Sequence, residues 1–105
     1  DRIHIHVGVA QQKLAETPGD FDIIFIDVDK EQYPATLRLA LPRVRRGGLL
    51  LTDNTLWSGQ AARKAKRGDQ RTRGIQEFNR MVFASKEVCA VMVPLRDGFT
   101  ICRKS

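Results

Sequence analysis

The sequence predicts an α/β fold, a mostly parallel sheet that closes on an antiparallel hairpin strand, and three observations predict it. Apolar stretches of strand length alternate along the chain with stretches of helical spacing, the order that builds strand–helix–strand units. Two strand candidates, Phe21–Asp27 and Leu49–Leu51, are near-continuous apolar runs, as expected of parallel strands covered on both faces. Asp97-Gly98 separates two further apolar runs, a strong hairpin signal.

Each element follows from local chemistry. Ile3, Ile5 and Val7 alternate with His4 and His6, the two-residue period of a strand with one buried face, ended by Gly8. Gln11–Glu16 reads as a short helix stopped by Pro18-Gly19. Phe21–Asp27 is a central parallel strand. Glu31–Val44 carries Leu37, Leu39, Ala40, Leu41 and Val44 near helical spacing. Pro34 is tolerated in its first turn, where its missing N–H would lack a partner anyway, and Pro42 marks a loosened last turn. Gly47-Gly48 breaks the chain before the strand Leu49–Leu51, which ends at Thr52-Asp53-Asn54. A polar, basic loop follows from Ser58 to Gln70. Ile75, Phe78, Met81 and Val82 mark one face of a helix, despite Gly74 at a cost of about 1 kcal/mol. Val88–Val93 and Phe99–Arg103 form the closing hairpin. The expected order is β-α-β-α-β-α-β-β.

A chain of 105 residues forms one domain, residues 1–105, with a single modest core. Hydrophobic residues at 42% and charged residues at 29% fit a globular rather than a disordered chain. No apolar run approaches the roughly 20 residues of a membrane span. The net charge of +6 is concentrated at Arg43, Arg45 and Arg46 and in the loop of Arg63, Lys64, Lys66, Arg67, Arg71 and Arg73. Such an excess attracts polyanions. No aromatic residues interleave with it to stack bases, so a solvated basic surface is the expected reading and nucleic acid is not an expected partner. Cys89 and Cys102 fit neither a metal spacing nor a disulfide framework. Both read as reduced thiols on buried strands of a cytoplasmic protein.

Ligands of open α/β sheets sit outside the carboxyl ends of the strands. Two strands here end in acidic clusters, Ile26-Asp27-Val28-Asp29-Lys30 and Thr52-Asp53-Asn54. Asp27, Asp53 and Asn54 offer three hard oxygen donors at one rim, the type a divalent cation takes. The same residues are also good helix caps, and composition alone leaves both readings open.

The segments carrying these groups resemble a known family. Phe21-Asp-Ile-Ile-Phe-Ile-Asp-Val-Asp-Lys-Glu-Gln-Tyr33 and Gly47-Gly-Leu-Leu-Leu-Thr-Asp-Asn-Thr-Leu-Trp-Ser-Gly59 are similar to hallmark segments of cation-dependent S-adenosylmethionine O-methyltransferases of the caffeoyl-coenzyme A and catechol type. Arg71-Thr72 with Glu77-Phe78-Asn79 fits the next helix, and Pro94-Leu-Arg-Asp-Gly-Phe-Thr-Ile-Cys-Arg103 fits the last hairpin. The resemblance implies a partial Rossmann-like methyltransferase sheet. It is the C-terminal portion, without the glycine-rich turn and the acidic strand end that hold most of the cofactor. It implies Asp27, Asp53 and Asn54 as ligands of Mg²⁺, Ca²⁺ or Mn²⁺. Lys30 would be the base toward a substrate hydroxyl, driven toward its neutral form by the neighbouring metal. Ala10, Gln11 and Asp29 fall at cofactor-contacting positions. Trp57 and Ser58 fall where an acceptor pocket is lined, Ser58 standing where plant relatives usually have Asn. Tyr33 and Trp57 read equally well as core residues. The implied acceptor is a small hydroxylated aromatic molecule, and the chain alone is expected to be inactive.

Two other readings remain: an anion- or nucleic-acid-binding module using the basic loop 63–73, and an inert truncation product. In the resembled fold, two strands absent here separate Ile3–Val7 from Ile23–Asp27. Their absence leaves the edge of Ile23-Ile24-Phe25-Ile26 unpaired, a hazard natural sheets avoid. Either the first strand shifts to pair beside the second, or two chains associate through that edge as a homo-oligomer. Association is the expected outcome.

Overall fold

The computed structural model describes residues 2–105; Asp1 lies outside the described residues. Its sheet has four strands: β1 (Phe21–Ile26), β2 (Val44–Asp53), β3 (Val88–Val93) and β4 (Phe99–Lys104), in the order β1-β2-β4-β3. The β1–β2 pair is parallel, and β4 runs antiparallel to both β2 and β3. Three α-helices accompany it: α1 (Ala10–Glu16), α2 (Tyr33–Ala40) and α3 (Gln70–Ala84). The α/β class and the antiparallel closing hairpin are as expected. Among the described residues, no helix is long and apolar enough to cross a membrane.

The first expected strand does not form. Among the described residues, 3–7 pair with no strand, and Ile3, Ile5 and Val7 are 82%, 83% and 87% exposed. Strand geometry needs a neighbour to take its backbone hydrogen bonds, and the segment finds none, beside β1 or elsewhere. For the same reason β1 is an edge strand, not the central one its apolar run suggested.

The register assigns the two faces of the sheet. Ile24 lies beside Leu50, which lies beside Cys102, and Ile26 lies beside Thr52, which lies beside Thr100. Successive strand residues point to opposite faces, so these side chains share one face, and α2 and α3 cover it. There Leu37, Ile75, Phe78 and Val82 close a buried core over Ile26, Leu50 and Cys102. Burying a side chain such as Phe78 stabilises the fold by about 1.5–3 kcal/mol. The opposite face is bare: Ile23, Phe25 and Val91 are 57%, 52% and 56% exposed. Cys89 lies on that face and is exposed, whereas Cys102 is buried as expected. Burial pushes the Cys102 thiol up to about 11.

The expected helix Glu31–Val44 is divided. A 3₁₀ turn at Lys30–Gln32 precedes α2, and Leu41–Arg43, containing Pro42, is a second 3₁₀ turn after it. Gly47-Gly48 does not break the chain but lies within β2, where the register with β1 slips between Phe21 and Ile23. A Cβ on Gly48 would stand 2.7 Å from the Asp22 carbonyl oxygen, so the strands approach here only over glycine. Part of the basic charge is structural. The Arg43 guanidinium donates to the carbonyls of Leu14 at 2.9 Å and Gly19 at 2.8 Å, and to that of Thr17. These bonds tie the α1–β1 connection down.

Candidate functional site

Because β1 and β2 are parallel, both end at one rim. Ile26 lies opposite Thr52, so Asp27 and Asp53 leave neighbouring strands side by side, about 4.8 Å apart along the sheet. The 3₁₀ turn after β1 brings Lys30 back over this rim. Its Nζ donates to Asp27 Oδ1 at 3.3 Å and to the Tyr33 hydroxyl at 2.8 Å, and that hydroxyl donates to the Asp53 carbonyl at 2.9 Å. Tyr33 is fully buried, edge-on to Phe78 with ring centroids 5.4 Å apart. It is a core residue and a site residue at once, carrying a hydrogen-bonded connection from Lys30 to the end of β2. Gly74 makes the arrangement possible: a Cβ there would stand 2.4 Å from the Lys30 carbonyl oxygen and 2.8 Å from Glu31 Cα. α3 thus packs directly against the turn that carries Lys30.

Desolvation alone would lower the Lys30 pKa. Hydrogen bonding and electrostatic attraction from Tyr33, followed by those from Asp27, outweigh it, and the net displacement is upward. Without a metal beside it, this ion pair holds Lys30 as an ammonium; the expected drive toward neutrality belongs to the metal-loaded site. Burial raises the Tyr33 phenol, against the opposing effect of Lys30.

Past β2 the chain makes a cramped turn. Asn54, Trp57 and Ser58 all adopt left-handed backbone conformations, with φ of 63°, 52° and 53°, which non-glycine residues seldom do. The β3–β4 hairpin holds the turn in place. Leu56 N–H donates to the Asp97 carbonyl at 2.8 Å and Thr55 N–H to the Gly98 carbonyl at 3.3 Å. Asn54 Nδ2 donates to Asp97 Oδ2 at 3.1 Å, and Ser58 N–H donates to Asp97 Oδ1. Gly98 is needed for this approach, since a Cβ would come within 2.7 Å of Leu56 N. From beneath, Thr100 Oγ1 donates to Thr55 Oγ1 at 2.9 Å and Asn79 Nδ2 to the Thr55 carbonyl at 3.0 Å.

The donors at the rim fit a hard divalent cation. Two carboxylates sit on adjacent strand ends, and the Asn54 amide, its nitrogen engaged by Asp97, leaves its oxygen for the ion. Among the described residues, no group of three or more His, Cys, Asp or Glu could hold a metal, so the set depends on the Asn54 oxygen and on ligands from water or substrate.

A cleft of about 720 Å³ opens beside the rim, lined by Ala10, Gln11, Asp27, Asp29, Lys30 and Trp57 together with Val9, Val28, Gln32 and Arg71. The start of α1 is held there by Gln11 Nε2 donating to Thr36 Oγ1 at 3.1 Å. Six sequence-predicted residues therefore meet in one cleft. Asp53, Asn54 and Ser58 do not line it. Ser58 borders a second cavity of about 420 Å³ with Arg63, Lys64, Lys66 and Thr72. Sequence reasoning missed Asp97, whose pairing with Gly98 signalled only a turn, and Arg71, which lay within the basic run. Nothing local marks either as part of the rim.

Comparison with known proteins agrees with this layout. The family model described as O-methyltransferase matches residues 2–105. Tricin synthase 2 of Oryza sativa subsp. japonica is 39% identical over 94 residues, covering 85% of this chain and 32% of that protein. The caffeoyl-CoA O-methyltransferase of Mesembryanthemum crystallinum is 33% identical over 95 residues, covering 86% and 37%. The crystal structure of the O-methyltransferase from Bacillus cereus in complex with SAH superposes with a TM-score of 0.83 at 28% identity, over 93% of this chain and 48% of that one. The chain spans between about a third and half of the length of these proteins.

Proposed function

The chain belongs to the O-methyltransferase family, and from that premise we propose that it carries the metal-binding and proton-accepting rim of an S-adenosylmethionine-dependent methyl transfer to a phenolic or catechol-like hydroxyl. The observation that carries this reading is the placement of Asp27 and Asp53 at adjacent strand ends, with Lys30 bonded to Asp27 and joined through the Tyr33 hydroxyl to the Asp53 carbonyl. The names of the rice and Mesembryanthemum relatives and the SAH of the Bacillus protein, the demethylated form of the cofactor, support it.

Asp27, Asp53 and the Asn54 oxygen would hold Mg²⁺, Ca²⁺ or Mn²⁺. Bound there, the ion would supply Lewis acidity that lowers the pKa of an acceptor hydroxyl and orients its oxygen. Lys30 Nζ receives the hydroxyl proton. To do so it first sheds the proton that the Asp27 pairing stabilises, and Asp27 cannot serve the ion and the ammonium fully at once. Tyr33 keeps Nζ over the rim as that partner is lost. Ala10, Gln11 and Asp29 form the cofactor side of the cleft, and Trp57 its acceptor side, with Ser58 on the flank. The glycine-rich turn that seats most of the cofactor lies outside this sequence, so residues 1–105 alone should give no detectable turnover. We also place the protein in the cytoplasm, with unpaired thiols, and assign it self-association through its open sheet.

The test is titration with Mg²⁺, Mn²⁺ or Ca²⁺ while thermal unfolding is followed. A cation at 100 times its dissociation constant stabilises by about 2.7 kcal/mol, and Asp53→Ala should abolish that gain. If wild type and variant respond alike to every cation, the rim is not a metal site. The second cavity, bordered by Arg63, Lys64 and Lys66, favours an alternative as an anion-binding module. That reading predicts DNA affinity falling steeply with salt.

A further inference from the structure

The Asp97-Gly98 turn does more than reverse the chain. Asn54 offers the rim one ligand from an amide group with two chemically opposite ends, an oxygen that accepts and a nitrogen that only donates. Turned toward a cation, the nitrogen protons repel it. Nothing in the Asn54 backbone decides which end faces the rim. The decision comes from a residue 43 positions away in sequence. An ionised carboxylate only accepts, so the Asp97 carboxylate can face nothing but Asn54 Nδ2, which it does at 3.1 Å. We infer that Asp97 is a positioning residue: it fixes the Asn54 amide with its oxygen toward the cation and, through the Ser58 amide, joins that choice to the loop beyond. The inference rests on the metal reading proposed above.

Both Asp97 oxygens are committed. Oδ1 accepts from the Ser58 N–H and Oδ2 from Asn54 Nδ2. The side chain is therefore locked at both ends, and it cannot rotate away from Asn54 without leaving the Ser58 amide. Two main-chain bonds, from Leu56 and Thr55 to residues 97 and 98, keep the turn and the hairpin in register. The left-handed backbone at Asn54, Trp57 and Ser58 is tolerated because these contacts over-determine it. Partners one step behind a metal ligand orient it in this way, and losing one typically costs 10–100-fold in metal affinity.

Asp97→Asn is the informative change, because it preserves shape. The introduced amide keeps its oxygen on the Ser58 N–H and turns its nitrogen to Asn54, which must then present oxygen to that nitrogen and its own nitrogen to the rim. Mn²⁺ affinity, read calorimetrically on the full chain without substrate, should fall at least about tenfold, while thermal stability without metal stays near wild type. The pair Asn54→Asp with Asp97→Asn exchanges donor and acceptor and leaves the second oxygen of the introduced carboxylate for the ion. It should recover affinity to within a few-fold. Glu31→Gln removes an exposed charge from the neighbouring turn and measures the effect of charge alone. Equal binding by wild type and Asp97→Asn overturns the inference, as does a loss in Glu31→Gln as large as that in Asp97→Asn. If wild type binds no cation, it is the metal reading that fails. Orientation is then judged by hydrogen exchange of the Asn54 side-chain amide, protected in wild type and released in Asp97→Ala. An amide that exchanges freely in both overturns it.

Discussion

On one face of the sheet Ile24, Ile26, Leu50 and Cys102 lie beneath α2 and α3, whereas on the other Ile23, Phe25 and Val91 remain more than half exposed. The two faces alternate along the same strands and are equally apolar, so strand chemistry does not distinguish them; helix coverage does. The Lys30 side of the rim hangs from the covered face, whereas Asp53 follows Leu51 on the other. Tyr33, which holds Lys30, packs on Phe78, and Gly74 lets α3 reach the Lys30 turn. The side-chain partners of Lys30 are Asp27, Val28 and Tyr33. An apolar surface of this kind marks a place for a partner, and here it lies next to the unpaired edge of β1. The covered face holds the Lys30 turn in place; the bare face is the surface through which the proposed association would run.

Truncating an aromatic on each face gives the sharpest contrast. Phe78→Ala should cost about 3–5 kcal/mol through the cavity it leaves, and Phe25→Ala less than about 1 kcal/mol in the monomer. Urea unfolding at low protein concentration measures both. Equal losses would mean that the bare face is covered in solution. Gly74→Ala comes next. Alanine ordinarily gains about 1 kcal/mol over glycine inside a helix, but here its Cβ would meet the Lys30 carbonyl oxygen at 2.4 Å. The overlap should reverse the sign and cost about 1–3 kcal/mol, with the largest amide NMR shifts at Lys30–Gln32. A stabilised variant would show that α3 does not press on that turn.

Thiol labelling separates the faces without mutation. At pH 8 Cys89 should alkylate at once. Cys102, buried and with its pKa pushed up to about 11, should react only through global opening. The same displacement gives a pH dependence. The folded pKa lies above the ordinary thiol value of 9.0, so the contribution of Cys102 to stability is complete below about pH 9 and is lost as pH rises toward 11. Fast labelling of Cys102 in native protein would contradict the covered core. The smallest effect on stability is expected of Phe25→Lys, within about 0.5 kcal/mol, although it should abolish self-association at micromolar concentration in sedimentation. A wild-type chain that sediments as a monomer removes the need for association.

What was legible from sequence alone was whatever depends on residues near one another in the chain. The apolar runs of β1 and β2, the Asp97-Gly98 hairpin, the loosened turn at Pro42 and the acidic strand ends all declare themselves through spacing and residue type. Tertiary structure decided the rest, because pairing and packing depend on partners remote in sequence. Ile3, Ile5 and Val7 have the alternation of a strand but meet no neighbouring edge to take their backbone bonds. Gly74 looks like a helix defect until the Lys30 turn is set against it. Tyr33 has its role only where its hydroxyl meets the end of β2, and the Lys30 ammonium is fixed over the rim only where Tyr33 and Asp27 flank it. Asp97 reads as half of a turn signal; closing the hairpin onto the end of β2 is what puts a carboxylate against the Asn54 amide.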